Sequence, residues 1–188
     1  MNIIRKTIEN DEKFLRQISK EVSFNDKSYL KDIEKLKEFC SNIECFALAA
    51  VQIGIPKRIV YLNSTSLDEK KEKTNYDESK VLINPIIISR KGKTKYWEAC
   101  LSCLDNMGLV IRPYEIVVKY YDIDKNEHIE TIKGFESTII SHEIDHLDGV
   151  LHMDIAEEVI EMTREERKKF RETHPYEIIS KTCNYERK

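Results

Sequence analysis

Thr138-Ile139-Ile140-Ser141-His142-Glu143-Ile144-Asp145-His146-Leu147 is the stretch around which the rest of the chain is read. It contains His-Glu-x-x-His. Residues four apart share a helix face, so a helix here aims His142 and His146 at one spot. Two neutral imidazoles at one spot suit a divalent transition metal. Glu143, beside the first of them, can reach a water on that metal without binding the metal itself. Ile139, Ile140, Ile144 and Leu147 supply apolar faces, and no Pro or Gly interrupts before Gly149. Three titratable groups on such a helix are costly to bury unless they are bound to something.

Two ligands hold a metal poorly, so a third must come from elsewhere. His152 lies three residues past Gly149, with Asp154, Glu157 and Glu158 close behind. Cys100, in the extended-looking run Trp97-Glu98-Ala99-Cys100-Leu101-Ser102-Cys103, offers a thiolate. Read as an ordinary free cysteine, it would be a small packed hydrophobe. Spacing alone leaves Cys100 and His152 level.

Outward from the motif, the pattern gives coarse elements. Phe14, Leu15 and Ile18 share a face of a short helix or turn within residues 11–20. Leu30, Ile33, Leu36 and Cys40 follow the three/four spacing of a buried helical stripe from Ser28 to about Phe39, with Asn25 or Asp26 able to cap it. Cys45 to Gln52 is a dense apolar run ending in an amide. Arg58 to Leu62 reads as a buried strand, and residues 64–80 as a polar surface loop. Val81 to Asn84 reads as a strand stopped near Pro85; Ile86 to Ile88 stays extended, and Gly92 marks a basic turn. Ile116–Tyr121 and His128–Ile132 flank a polar loop as a hairpin. Thr163-x-x-Glu166 is a capping-box pattern opening a last, highly charged helix that reaches about Arg171 and has little apolar face. Hairpins without regular βαβ alternation predict an α+β fold, with mixed or antiparallel sheets packed around the central helix that carries the histidine pair.

With 188 residues and no internal repeat or linker, one domain is expected. We divide it into a core of about 1–155 and a charged helical tail of about 156–188. A net charge of -3, from 31 basic and 34 acidic residues, excludes a polyanion-binding footprint and direct reading of nucleic acid. No apolar run is long enough to span a membrane, and the first residues lack the apolar core of a signal peptide, so a cytoplasmic protein is expected. Five cysteines, an odd number, argue against a disulfide framework there.

Three separated motifs resemble those of the peptide deformylase family. The family's His-Glu-x-Asp-His-Leu is matched by His142, Glu143, Asp145, His146 and Leu147. Its Glu-Gly-Cys-Leu-Ser is matched at Glu98, Cys100, Leu101 and Ser102. Its Gly-x-Gly-Leu-Ala-Ala-x-Gln is matched at Leu48, Ala49, Ala50 and Gln52. Arg112 falls where the family has an arginine, and the likeness covers most of residues 1–155. The resemblance implies that Cys100, His142 and His146 hold one divalent metal, ferrous iron by preference, with zinc or nickel as substitutes. It implies Glu143 as general base and then acid, with the Gln52 amide and the Leu101 backbone N–H as oxyanion donors. The implied reaction removes the N-formyl group from the initiator methionine of new polypeptides, with a formylated nascent peptide, and the ribosome, as expected partners.

Glu98 and Arg112 are expected to pair, and Asp145 to orient a ligand or bond to backbone. The chain departs from the family at Cys45, Ala47 and Ala99, where the family has glycines, and at Cys103-Leu104-Asp105. Added side chains there narrow a peptide groove. They motivate a second reading, a related amidase on another N-acyl amine; a third reading, an idle paralog that binds peptide N-termini, has the intact Glu143 against it.

Overall fold

The computed structural model describes residues 4–43, 45–63 and 80–186. Most of the loop expected at 64–80 lies outside the described residues; Lys80 already belongs to a strand.

The elements run α1 (Ile8–Leu15), α2 (Ser28–Ile43), β1 (Ala47–Ala49), β2 (Ile59–Leu62), β3 (Lys80–Ala99), β4 (Asn106–Arg112), β5 (Glu115–Tyr121), β6 (Glu127–Lys133), α3 (Phe135–Leu147), α4 (His152–Ile155), β7 (Glu158–Glu161), α5 (Arg164–Thr173) and β8 (Glu177–Asn184). Short 3-10 turns at Ala50–Ile53 and Leu101–Cys103 follow β1 and β3. All eight strands join one sheet, and every ladder among them is antiparallel. The α+β class read from the sequence is the class observed, with α3 as its central helix.

Strand β2 shows how the two cores form. Successive side chains on a strand point to opposite faces. Ile59 and Tyr61 pack against Tyr29, Ile33 and Leu36 of α2. Val60 and Leu62 face Ile140, Ile144 and Leu147 of α3 on the other side. A strand covered on both faces cannot alternate apolar with polar, which is why β2 reads as a continuous apolar run. Before α2, the Asp26 carboxylate accepts from the backbone N–H and the hydroxyl of Ser28. In α1, Leu15 is buried, whereas Ile18 lies beyond the helix and is 74% exposed.

Strand β3 departs from expectation. It runs unbroken for 20 residues through both Pro85 and Gly92. Register shifts between Ile83 and Ile86, and between Ile87 and Ser89, absorb the missing proline N–H, with Asn84 at φ +52°. Gly92 is a bend rather than a turn. Its φ is +72°, and a Cβ there would lie 2.5 Å from the Ser180 carbonyl of the adjoining β8.

The C-terminal segment is not helical throughout. β7 pairs with β4, and β8 pairs with β3, on either side of α5. Their side chains are mostly exposed, so no alternation of apolar residues announced them. α5 opens at a capping box: the Glu166 N–H reaches the Thr163 hydroxyl at 3.4 Å, and the Thr163 N–H donates back to the Glu166 carboxylate at 2.8 Å. No residue of α5 is fully buried, yet it is docked. Phe170 meets Trp97 edge-on at 5.3 Å, and Arg167 donates to the Leu104 carbonyl and to Asp105.

Candidate metal centre and cleft

Helix α3 is buried on nearly every face, so its polar groups must find partners inside the protein. His142 and His146, one turn apart, turn toward the strand end that carries Cys100. The ligating atoms of Cys100, His142 and His146 all lie within 4.8 Å of one another, and Cys100 Sγ sits 3.1 Å from His146 Nε2. Tetrahedral bonds of about 2.0–2.3 Å to nitrogen and sulfur would separate such donors by about 3.3–3.6 Å. The Cys100–His146 pair is close to that spacing, and one thiolate with two imidazoles suits a divalent ion in chemistry.

His152, level with Cys100 on spacing, is buried next door with its ring 5.8 Å from that of His142. Its Nε2 side faces the backbone of Gly108, against which the ring packs. It does not join the three-atom group.

The histidine nearer the strand is oriented from behind. His142 Nδ1 lies 2.8 Å from a Glu98 carboxylate oxygen. A carboxylate only accepts, so Nδ1 carries the proton and Nε2 presents its lone pair toward Cys100. Glu98 is in turn gripped by Arg112 through two hydrogen bonds of 2.7 and 2.9 Å, and Arg112 also donates to Asp145. Glu98, Arg112 and Asp145 are each at most 5% exposed. Burial would raise the Glu98 carboxyl, but the facing guanidinium and then His142 outweigh it and hold it far below the usual carboxylate range. Asp145 thus serves the arginine. The sequence suggested the Glu98–Arg112 pair; the link onward from Glu98 to His142 had no signal in it.

Glu143 lies beside this cradle with one carboxylate oxygen buried and without a hydrogen-bond partner among the described residues. Burial pushes its carboxyl up to about 7, with His142 pulling down and Cys100 pushing up. Burial lowers His146, whereas for His142 the Cys100 and Glu98 contacts overcome burial and raise it. Gln52, 2% exposed, accepts from the Ala49 N–H through Oε1. That fixes the amide so that Nε2 donates to Cys100 Sγ at 3.3 Å and to the Ser102 hydroxyl at 3.2 Å. Leu101 opens the 3-10 turn just after Cys100, where a backbone N–H has no acceptor within the turn.

The cradle opens on a cleft of about 1350 Å³, lined by Gln52, Cys100, Leu101, His142 and Glu143 at one end. Cys45, Phe46, Ala47 and Ala99 line its walls. Neither Ala47 nor Ala99 has a positive φ. Their departure from glycine therefore acts through the space their side chains take, not through backbone strain. The Cys45 sulfur also lies 2.8 Å from that of Cys40. Cys103 packs away from the cleft, beside Leu151.

A buried carboxylate beside a sulfur-and-imidazole cradle that opens on a cleft marks a metal-dependent hydrolase. The sequence model described as polypeptide deformylase matches residues 4–161. The peptide deformylase of Pelagibacter ubique is 34% identical over 80% of this chain and 85% of its own. Two solved structures superpose with a TM-score of 0.70: a probable peptide deformylase of Synechococcus phage S-SSM7, and that of Synechococcus elongatus in complex with actinonin. The first is 32% identical and covers 81% of this chain and 99% of the phage chain. The second is 27% identical and covers 91% and 85%. The chain belongs to the polypeptide deformylase family, metal-dependent hydrolases that remove the N-formyl group from nascent peptides.

Proposed function

We propose that Cys100, His142 and His146 hold one divalent metal, ferrous iron with zinc or nickel as substitutes, and that Glu143 moves the proton of the reaction. One thiolate with two imidazoles accommodates each of these ions. An ion held there supplies Lewis acidity, which acidifies water and polarises a carbonyl. Glu143 takes the proton of the attacking water and returns it to the departing amine. Burial raises the Glu143 carboxyl above its ordinary value, which favours its taking up a proton. Gln52 Nε2 and the Leu101 N–H meet the negative charge that develops on the formyl oxygen. Removing one such donor costs about 3 kcal/mol of transition-state stabilisation. Substrate enters as the formylated end of a new polypeptide, met in the cytoplasm as it leaves the ribosome. No helix among the described residues is long and apolar enough to cross a membrane.

The observation that carries this reading is the convergence of three ligand atoms beside a buried, unpartnered Glu143 oxygen. Formate release from formyl-Met-Ala-Ser by anaerobically iron-loaded protein tests it. Glu143→Ala is expected to keep its metal and lose about 10²–10⁴ in turnover; a variant that stays active removes the base from Glu143. The side chains of Cys45, Ala47 and Ala99 on the cleft wall favour a second reading, a related amidase. Turnover only of other N-acyl amines would select it.

A further inference from the structure

The family match ends at residue 161, but the cleft does not. Its far wall is α5, which presents Arg164, Arg167, Lys168 and Arg171 to it, spaced along one helix face. These cations are not equivalent. Arg167 is committed to the Leu104 carbonyl and Asp105. Arg164 and Lys168 are exposed, and so are Glu161 and Glu165 on the same rim, so their fields offset one another. Arg171 is the one that is held. Its guanidinium lies 5.2 Å over the Tyr96 ring, and one terminal nitrogen donates to the Trp97 carbonyl at 3.2 Å. No carboxylate among the described residues pairs with it, and its Nε is buried without an acceptor.

Packed groups along the cleft connect Arg171 to the reaction centre. Tyr96 meets Phe135 edge-on at 5.0 Å. Phe135, Thr138 and His142 share one face of α3, and all three line the cleft with Tyr96 and Arg171. An arginine already flattened on an aromatic ring has lost little further freedom when it forks onto a carboxylate.

We propose that Arg171 is a specificity determinant that recognises a carboxylate on the substrate: an acidic side chain downstream of the formylmethionine. The proposal rests on the deformylase reading above and adds the substrate class. Arg171 acts on binding, so its effect falls on KM more than on kcat.

The test compares kcat/KM for formyl-Met-Ala-Ser, formyl-Met-Glu-Ser and formyl-Met-Lys-Ser, alongside calorimetric affinity for the unformylated peptides. An acidic peptide is expected to exceed the lysine peptide by about tenfold, the scale of one charge-assisted hydrogen-bonded pair. Arg171→Gln should collapse that ratio toward one, and Arg171→Lys should restore part of it. If the variants fail to fold, 1 M salt should shrink the ratio in the unaltered protein. A ratio near one in the unaltered protein, or one that Arg171→Gln leaves intact, overturns the proposal. Should no peptide lose formate, the deformylase reading fails, while the calorimetric ratio still decides whether Arg171 prefers a carboxylate.

Discussion

Arg112 shows what a single residue does here. It is 3% exposed and is gripped by Glu98 on one side and Asp145 on the other. Breaking a buried ion group costs far more than the group contributes, because the remaining charges lose their partner inside the protein. Arg112→Met is expected to destabilise by about 3–5 kcal/mol in a urea melt. It should also weaken metal binding by about 10–100-fold, because Glu98 would no longer be held against His142 Nδ1. A loss within about 1 kcal/mol, with metal affinity unchanged, would show that Glu98 orients the histidine without help. The sequence suggested this pair by residue type, but Glu98 lies 44 positions from His142. No local pattern connects them.

At the scale of the element, the β5–β6 hairpin has its own electrostatic lock. Asp122 accepts from the N–H and the side-chain amide of Asn126, and from His128. Burial would raise the Asp122 carboxyl, but His128 and Asn126 together bring it down to about 2 from its ordinary 3.8. A carboxyl lowered by folding adds stability that is fully present above its ordinary value and is lost as pH falls through about 2. The Asn126 amide resonance is therefore expected to shift between about pH 3 and 1, with a midpoint near 2, and Asp122→Asn should abolish the shift. A midpoint near 4 would mean that the loop's hydrogen bonds do not hold in solution. The hairpin was legible because two runs rich in β-branched and aromatic residues flank a polar loop. The course of β3 through Pro85 and Gly92 was not, because the bulges that carry the strand onward depend on β5 and β8 lying alongside.

Across the whole molecule, the three proposed ligands sit on elements whose packing is made by the protein's own core. α3 brings Ile140, Ile144 and Leu147 into a core with β1, β2, β5 and β6, while Cys100 closes a 20-residue strand bonded to four others. Chelation is therefore expected to leave far-ultraviolet dichroism and cooperative melting intact and to lower Tm. Metal at a thousand times its Kd should return about 4 kcal/mol. Loss of the fold on chelation would mean that the ion, not the core, holds the helix in place. What the sequence determined by itself is local or periodic: the histidine pair one turn apart, the glutamate between them, the apolar stripes of α2 and α3, and the hairpin. With the family motifs it also named Cys100 and Gln52 as members of the site. The tertiary structure alone decided which polar groups face one another across distant strands: Glu98 behind His142, and α5 as a wall of the cleft. Such choices turn on where whole elements dock, and docking is the sum of many weak contacts between residues far apart in the chain.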